Sequence, residues 1–246
     1  MKLMNNKRKW ICIPVVLVIL CTAIFLGYTG QYYRADHTAE EALHSGQNVQ
    51  VTALEEGWFF DGPSEEYALI FYPGGKVEES AYAPLSRRLA QKGIDVYLVR
   101  MPFHLAIFGQ NKAAEILRSH NYKHWYIGGH SLGGVVASMY ASEHSDELDG
   151  VILLASYTTK KLNDKLNTIL LYGSDDEVLN AEEYQKNREN LPVNADEYII
   201  EGGNHAQFGS YGLQKGDGEA EISSEEQLEQ TVDILTDTIL KQSSKE

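Results

Sequence analysis

The chain has 246 residues, 43% of them hydrophobic, and a formal net charge of −14. That length suits a single α/β domain and is too long for a minidomain. The only charged residues before residue 29 are basic (Lys2, Lys7, Arg8, Lys9), so the remainder is more acidic than the whole and is repelled by nucleic acid, which excludes nucleic-acid binding.

The elements follow in chain order. Residues 1–9 form a basic N-terminus. Residues 10–28, WICIPVVLVILCTAIFLGY, carry no charge. As a helix this run spans roughly 28 Å, close to the thickness of a hydrocarbon core. The basic flank lies on its N-terminal side, so a single-pass helix is expected, with the N-terminus in the cytoplasm and the rest outside. Pro14 is tolerable in such a helix. The alternative is a cleaved signal peptide and a secreted chain, for which the apolar run is long. Both cysteines, Cys12 and Cys21, lie in this run. The remainder therefore forms no disulfide and no thiolate metal site. Residues 29–47 read as a polar juxtamembrane stalk in which Ala35 to Leu43 form a short helix.

Residues 48–246 alternate strand and helix. Val49 to Ala53 and Trp58 to Phe60 suggest two early strands. The continuous apolar run Tyr67–Tyr72 predicts a buried strand, and Ile94–Val99, Trp125–Ile127, Val151–Leu154, Thr168–Tyr172 and Glu197–Ile200 read as five more. Helical spacing covers Tyr82–Lys92, Asn111–His120, Gly133–His144, Ala181–Asn190 and Ser223–Lys241, with Gly93 ending the first. Buried strands alternating with helices predict a mostly parallel eight-stranded sheet with helices on both faces.

One strand runs into YIGGHSLGGV, residues 126–135, and then a helix. Glycine is a poor former of both elements, so the backbone must turn sharply there. In a G-x-S-x-G turn between strand and helix, the glycines two before and two after the serine remove clashing side chains, and Ser131 projects above the sheet. The helix behind it offers the Leu132 amide to a developing oxyanion. A serine needs a base, and the base needs an orienting acid. Downstream, Asp175 and Asp176 follow the strand of ILLYGSDDEV. His205, the last histidine of the chain, follows the next strand. Both positions lie past the carboxyl ends of strands, where parallel sheets place their sites. His130 precedes the serine and packs beside the turn; the base must approach from another loop.

The segments YPGGKVEESAYAPLSRRLAQKG, GGHSLGG, YGSDDEV and GGNHAQFGSYG together resemble the α/β-hydrolase superfamily. The resemblance spans about residues 67–240 and is strongest to the compact "family 5" group of bacterial serine hydrolases related to dienelactone hydrolases. It implies the α/β-hydrolase fold and no cofactor. In the family's G-x-x-D-x-V pattern Gly173, Asp176 and Val178 match, so Asp176 is the implied acid and Asp175 the second choice. The family often has His-Gly in the loop where this chain has Tyr72-Pro73-Gly74-Gly75-Lys76. The resemblance assigns the second oxyanion donor to Gly75, with Lys76 beside it in a substrate-contacting place. A dienelactone hydrolase proper would carry cysteine at Ser131, so that lactone chemistry is not implied.

Two further expectations concern substrate. MPFHLAIFG, residues 101–109, follows a strand where a pocket wall is often built, so Phe103, His104 and Phe108 are either substrate contacts or core. Ala155 to Asn167 is too short for a helical cap, which predicts an open, shallow site for small or surface-presented esters. The leading expectation is a membrane-anchored extracytoplasmic serine hydrolase of carboxylic esters, with Ser131, His205 and Asp176 as triad, and no metal. The same triad serves an acyltransferase or an amidase. A non-catalytic binding module on a hydrolase scaffold is the alternative from another class. The oligomeric state is not encoded in these patterns.

Overall fold

The computed structural model describes residues 6–46 and 48–242. The chain divides into two units, Met1–Tyr32 and Tyr33–Glu246. The first contains helix α1 (Asn6–Thr29), with Pro14 inside it. Val15 to Leu20, Ile24 and Leu26 on this helix are exposed. Residues 1–5 and the side chains of residues 6–13 lie outside the description, and with them the basic flank and the start of the apolar run. Among the described residues, no helix is long and apolar enough to cross a membrane.

The second unit is built on one eight-stranded sheet. Its strands are β1 (Gln50–Leu54), β2 (Gly57–Asp61), β3 (Tyr67–Tyr72), β4 (Ile94–Val99), β5 (His124–His130), β6 (Gly150–Leu154), β7 (Asn167–Gly173) and β8 (Asp196–Ile200). They lie in the order β1-β2-β4-β3-β5-β6-β7-β8. The pairs β1–β2 and β2–β4 are antiparallel, and every other pair is parallel. The early strands thus form the antiparallel edge, β8 forms the parallel edge, and the most apolar strands between them are buried, as a parallel sheet covered on both faces requires.

Side chains along a strand alternate between faces, and two separate cores follow. On one face Leu69, Phe71, Val96, Leu98, Ile152, Leu154 and Ile169 pack with Leu85 and Leu89 of α3 (Ala83–Gln91) and with Val232, Leu235 and Ile239 of α7 (Ser224–Gln242). On the other face Ile70, Tyr72, Val99, Ile127, Val151 and Leu153 pack with Ala113 and Ile116 of α4 (Lys112–Ser119) and with Val136, Ala137 and Tyr140 of α5 (Leu132–Glu143). Tyr184 of α6 (Ala181–Lys186) joins this second core.

The register sets the site. Tyr72 pairs with Gly129, His130 with Leu154, Leu154 with Leu171, and Gly173 with Ile200. The carboxyl ends of β3, β5, β6, β7 and β8 therefore stand side by side, and the loops leaving them converge. Between β6 and β7, residues 155–166 contain no α-helix.

The expected stalk requires correction. Residues 33–46 belong to the folded unit. Tyr33 forms a parallel bridge with Val77. Helix α2 (His37–Ala42) is capped by the Asp36 side chain, which accepts the Ala39 amide, and it packs on α3. Ala39 is fully buried, and Arg87 Nε donates to the Ala42 carbonyl at 2.9 Å. The polarity of this segment belongs to the outer face of a docked helix, since only its two small residues face inward. Ala39→Asp would place an unpaired carboxylate in that contact. Its expected effect is a fall in Tm on the order of 5 °C or more. An unchanged Tm would mean that the segment is a solvated stalk after all.

Candidate functional site

Ser131 stands at the junction of β5 and α5 with φ 51° and ψ −124°, a backbone conformation that ordinary residues hold only under constraint. Three hydrogen bonds impose it. The Ser131 amide donates to the Leu154 carbonyl at 2.9 Å. Its carbonyl accepts from the Val135 amide at 3.2 Å and from Ser156 Oγ at 2.7 Å. The glycines are demanded by close approach. A Cβ on Gly133 would lie 2.2 Å from the Tyr72 carbonyl oxygen, and one on Gly129 would lie 2.4 Å from the same oxygen. A Cβ on Gly134 would meet Ser156 Oγ at 2.5 Å.

The loop after β8 brings His205 to this junction, and the loop after β7 brings Asp176. His205 Nδ1 and Asp176 Oδ2 are 2.8 Å apart, and both side chains are 1% exposed. The other carboxylate oxygen of Asp176 accepts from the Val178 and Leu179 amides, at 2.9 and 2.7 Å. An ionised carboxylate held by two amides and an imidazole N–H is fixed in direction. Asp175 points elsewhere: its Oδ1 faces Ser174 Oγ, and His205 is not among its partners. His205 Nε2 is buried and has no partner among the described residues. With Nδ1 donating to the carboxylate, Nε2 is the nitrogen free to take a proton.

Ser131 and His205 both line a cleft of about 220 Å³. Its wall comes from Leu132 and Val135 of α5, from Ala155, Ser156 and Tyr157 after β6, and from Val178, Leu179 and Asn180 after β7. No residue signal singled out Tyr157, Val178 or Leu179 as wall, because wall and core share the same apolar side chains. A second cavity, about 350 Å³, lies behind the His205 loop among Asp36, Ala206, Gln207 and Ser210.

The amides expected to hold an oxyanion sit on facing loops. Leu132 is the first residue of α5, where amides have no intrahelical acceptor. A Cβ on Gly75 would lie 3.0 Å from Leu132 Cδ2. Of three successive amides, Gly74 donates to Tyr82 Oη at 3.0 Å and Lys76 donates to the His104 carbonyl at 2.7 Å. The Gly75 amide between them has no partner among the described residues.

Lys76, Phe103 and His104, the expected substrate contacts, lie outside the wall of this cleft, on a neighbouring turn. All three have left-handed φ, of 60°, 57° and 54°. The turn they build folds residues 101–104 back onto the β3 loop through the Lys76–His104 hydrogen bond. Phe103 is 47% exposed, with its ring against Phe108 at 5.6 Å.

His130 is buried beside the turn, as its position before the serine suggested. Its Nδ1 lies 2.8 Å from Tyr82 Oη and its ring 4.4 Å from the His205 ring. Burial, then the proximity of His205, pushes its pKa well below the ordinary histidine value, so it is neutral.

An eight-stranded sheet of this order, with a strained serine after the fifth strand and an acid and a histidine after the seventh and eighth, defines an α/β-hydrolase fold. The chain belongs to the alpha/beta hydrolase family, whose sequence profile matches residues 68–229. No curated protein matches it. Among solved structures it is similar to a predicted CIB-like hydrolase from Thermoplasma acidophilum, at 19% identity over 78% of this chain and 100% of that one, TM-score 0.54. It is also similar to a monoacylglycerol lipase from Paleococcus ferrophilus, at 15% identity over 77% and 99%, TM-score 0.58. A third is carboxyl esterase 2 from the mycorrhizal fungus Tuber melanosporum, at 11% identity over 82% and 89%, TM-score 0.58.

The geometry separates the two neighbouring aspartates. Asp176→Asn is expected to lower kcat for a p-nitrophenyl ester by about 10³-fold or more, because the amide no longer fixes the imidazole tautomer. Asp175→Asn is expected to stay within about threefold. The reverse ranking would place the acid at Asp175.

Proposed function

We propose that this chain is a serine hydrolase of small carboxylic esters, held at a membrane by residues 10–28 with its hydrolase unit outside the cytoplasm. The observation that carries the hydrolytic reading is that His205, buried and paired with Asp176, lines one cleft with a strained Ser131. In this reading Ser131 Oγ attacks the ester carbonyl as His205 Nε2 takes its proton. Asp176 holds the imidazole in orientation and stabilises it once charged. The Leu132 and Gly75 amides receive the oxyanion. The alcohol departs with the proton from His205, and a water activated by the same nitrogen then cleaves the acyl-enzyme and restores Ser131.

Small substrates are favoured by the cleft. Its volume is about 220 Å³. Leu132, Val135, Tyr157, Val178 and Leu179 give it an apolar wall. The esterase and the monoacylglycerol lipase among the similar structures agree with ester chemistry. The membrane tether is supported by the nineteen uncharged residues from Trp10 to Tyr28 and the basic flank before them.

The test is steady-state hydrolysis of p-nitrophenyl esters by the full chain in detergent. The highest kcat/KM is expected for acetate or butyrate, with a fall of at least about tenfold by decanoate. Leu179→Ala should flatten that profile, and Ser131→Ala should lose about 10³-fold or more. Turnover that survives in Ser131→Ala would overturn the serine mechanism. A profile rising towards decanoate would overturn the small-ester reading alone.

A further inference from the structure

Residues 33–36 join two loops that are far apart in sequence. On one side, the Tyr33 amide donates to the Lys76 carbonyl at 2.8 Å and the Glu78 amide donates to the Tyr33 carbonyl at 2.9 Å. The Ala35 amide donates to the Glu78 carboxylate at 3.1 Å. These bonds fasten the strap to the loop that carries Gly75. On the other side, the Asp36 amide donates to the Ser210 carbonyl at 2.9 Å. The Lys215 amide donates to the Tyr33 hydroxyl at 3.1 Å, and the Tyr33 ring lies 5.5 Å from that of Tyr211. These contacts fasten the same strap to the glycine-rich loop that follows His205.

That loop turns back onto the histidine. The Asp217 carboxylate accepts from the Ala206 amide at 2.8 Å and from the His205 amide at 3.3 Å. It thereby caps the short helical turn on which His205 begins. Gly212, Leu213, Lys215 and Gly216, in between, are exposed and have no helix or strand. The place of Asp217 therefore depends on a few ties, of which the Tyr33 hydroxyl is one.

We propose that Tyr33 and Asp217 are positioning residues of one relay that sets His205 against the Gly75 loop. Tyr33 holds the 209–218 loop through its side chain and the Gly75 loop through its main chain. Asp217 passes the first constraint to His205. The inference rests on the reading of Ser131, His205 and Asp176 as the hydrolytic machinery. Neither residue touches the reacting atoms; each acts through the geometry of those that do. A displacement of about 1 Å between catalytic groups costs about 10²-fold in rate, so a partial loosening should be visible in kcat.

The test is a double-mutant cycle on the full chain in detergent, with p-nitrophenyl acetate. Tyr33→Phe removes only the hydroxyl that accepts the Lys215 amide. Asp217→Asn removes one of the two carboxylate acceptors. Each is expected to lower kcat by about 5–20-fold, with KM within about twofold and Tm within about 3 °C. The double variant should lose no more than about the larger single loss, because both act along one route. Losses that multiply, a change confined to KM, or a kcat within about twofold of wild type would each overturn the relay. If Asp217→Asn does not fold, Tyr33→Phe decides alone: a fivefold fall in kcat at unchanged Tm upholds the relay and an unchanged kcat overturns it. A folded wild type that turns over no ester defeats the hydrolytic reading and the relay with it. An active wild type with unaffected variants defeats the relay only.

Discussion

A single carbonyl, that of Tyr72 at the end of β3, determines how the β5–α5 turn is built. The turn passes so close to this oxygen that neither Gly129 nor Gly133 has room for a side chain. Close packing forces the chain into the tight reversal that holds Ser131 at φ 51°, and the hydrogen bonds from Ser156 and Val135 keep it there. Strain of this kind persists only where the surroundings over-determine it. Here the surroundings are the most buried strands of the sheet, so stability elsewhere in the fold maintains the geometry at its edge.

The parallel register carries the same constraint outward. Because β5, β6, β7 and β8 end side by side, the loops bearing Ser131, Ser156, Asp176 and His205 need little length to converge. The loop after β7 has two tasks at once. Its Val178 and Leu179 amides direct Asp176, and their side chains form part of the cleft wall. In the proposed reaction, substrate size and the orientation of the base are therefore both set through Val178 and Leu179.

Much of this was legible in the sequence, for physical reasons that can be named. The central strands were readable because parallel strands buried on both faces are near-continuous apolar runs, as in YALIFY. The turn at Ser131 was readable because only close approach explains glycines at 129 and 133 between a strand and a helix. The pairing of His205 with Asp176 rather than Asp175 rested on a family pattern, because two adjacent carboxylates in a loop are indistinguishable by composition. Other features had no local signature. The strap at 33–36 has no hydrophobic period, because most of its ties are hydrogen bonds from main-chain groups, with a single tyrosine side chain beside them. Asp217 was hidden in a polar, glycine-rich loop where any acidic residue suits solvent. The left-handed turn at Phe103 and His104 is not encoded in hydrophobicity.

The account turns on whether Ser131 is activated by His205. The most direct measurement is intact-protein mass spectrometry after exposure to a fluorophosphonate, followed by peptide mapping. A single phosphonyl adduct on Ser131 in the wild type, lost in His205→Ala, is the predicted result. A folded wild type that takes up no adduct, or an adduct that forms equally fast without His205, would contradict it.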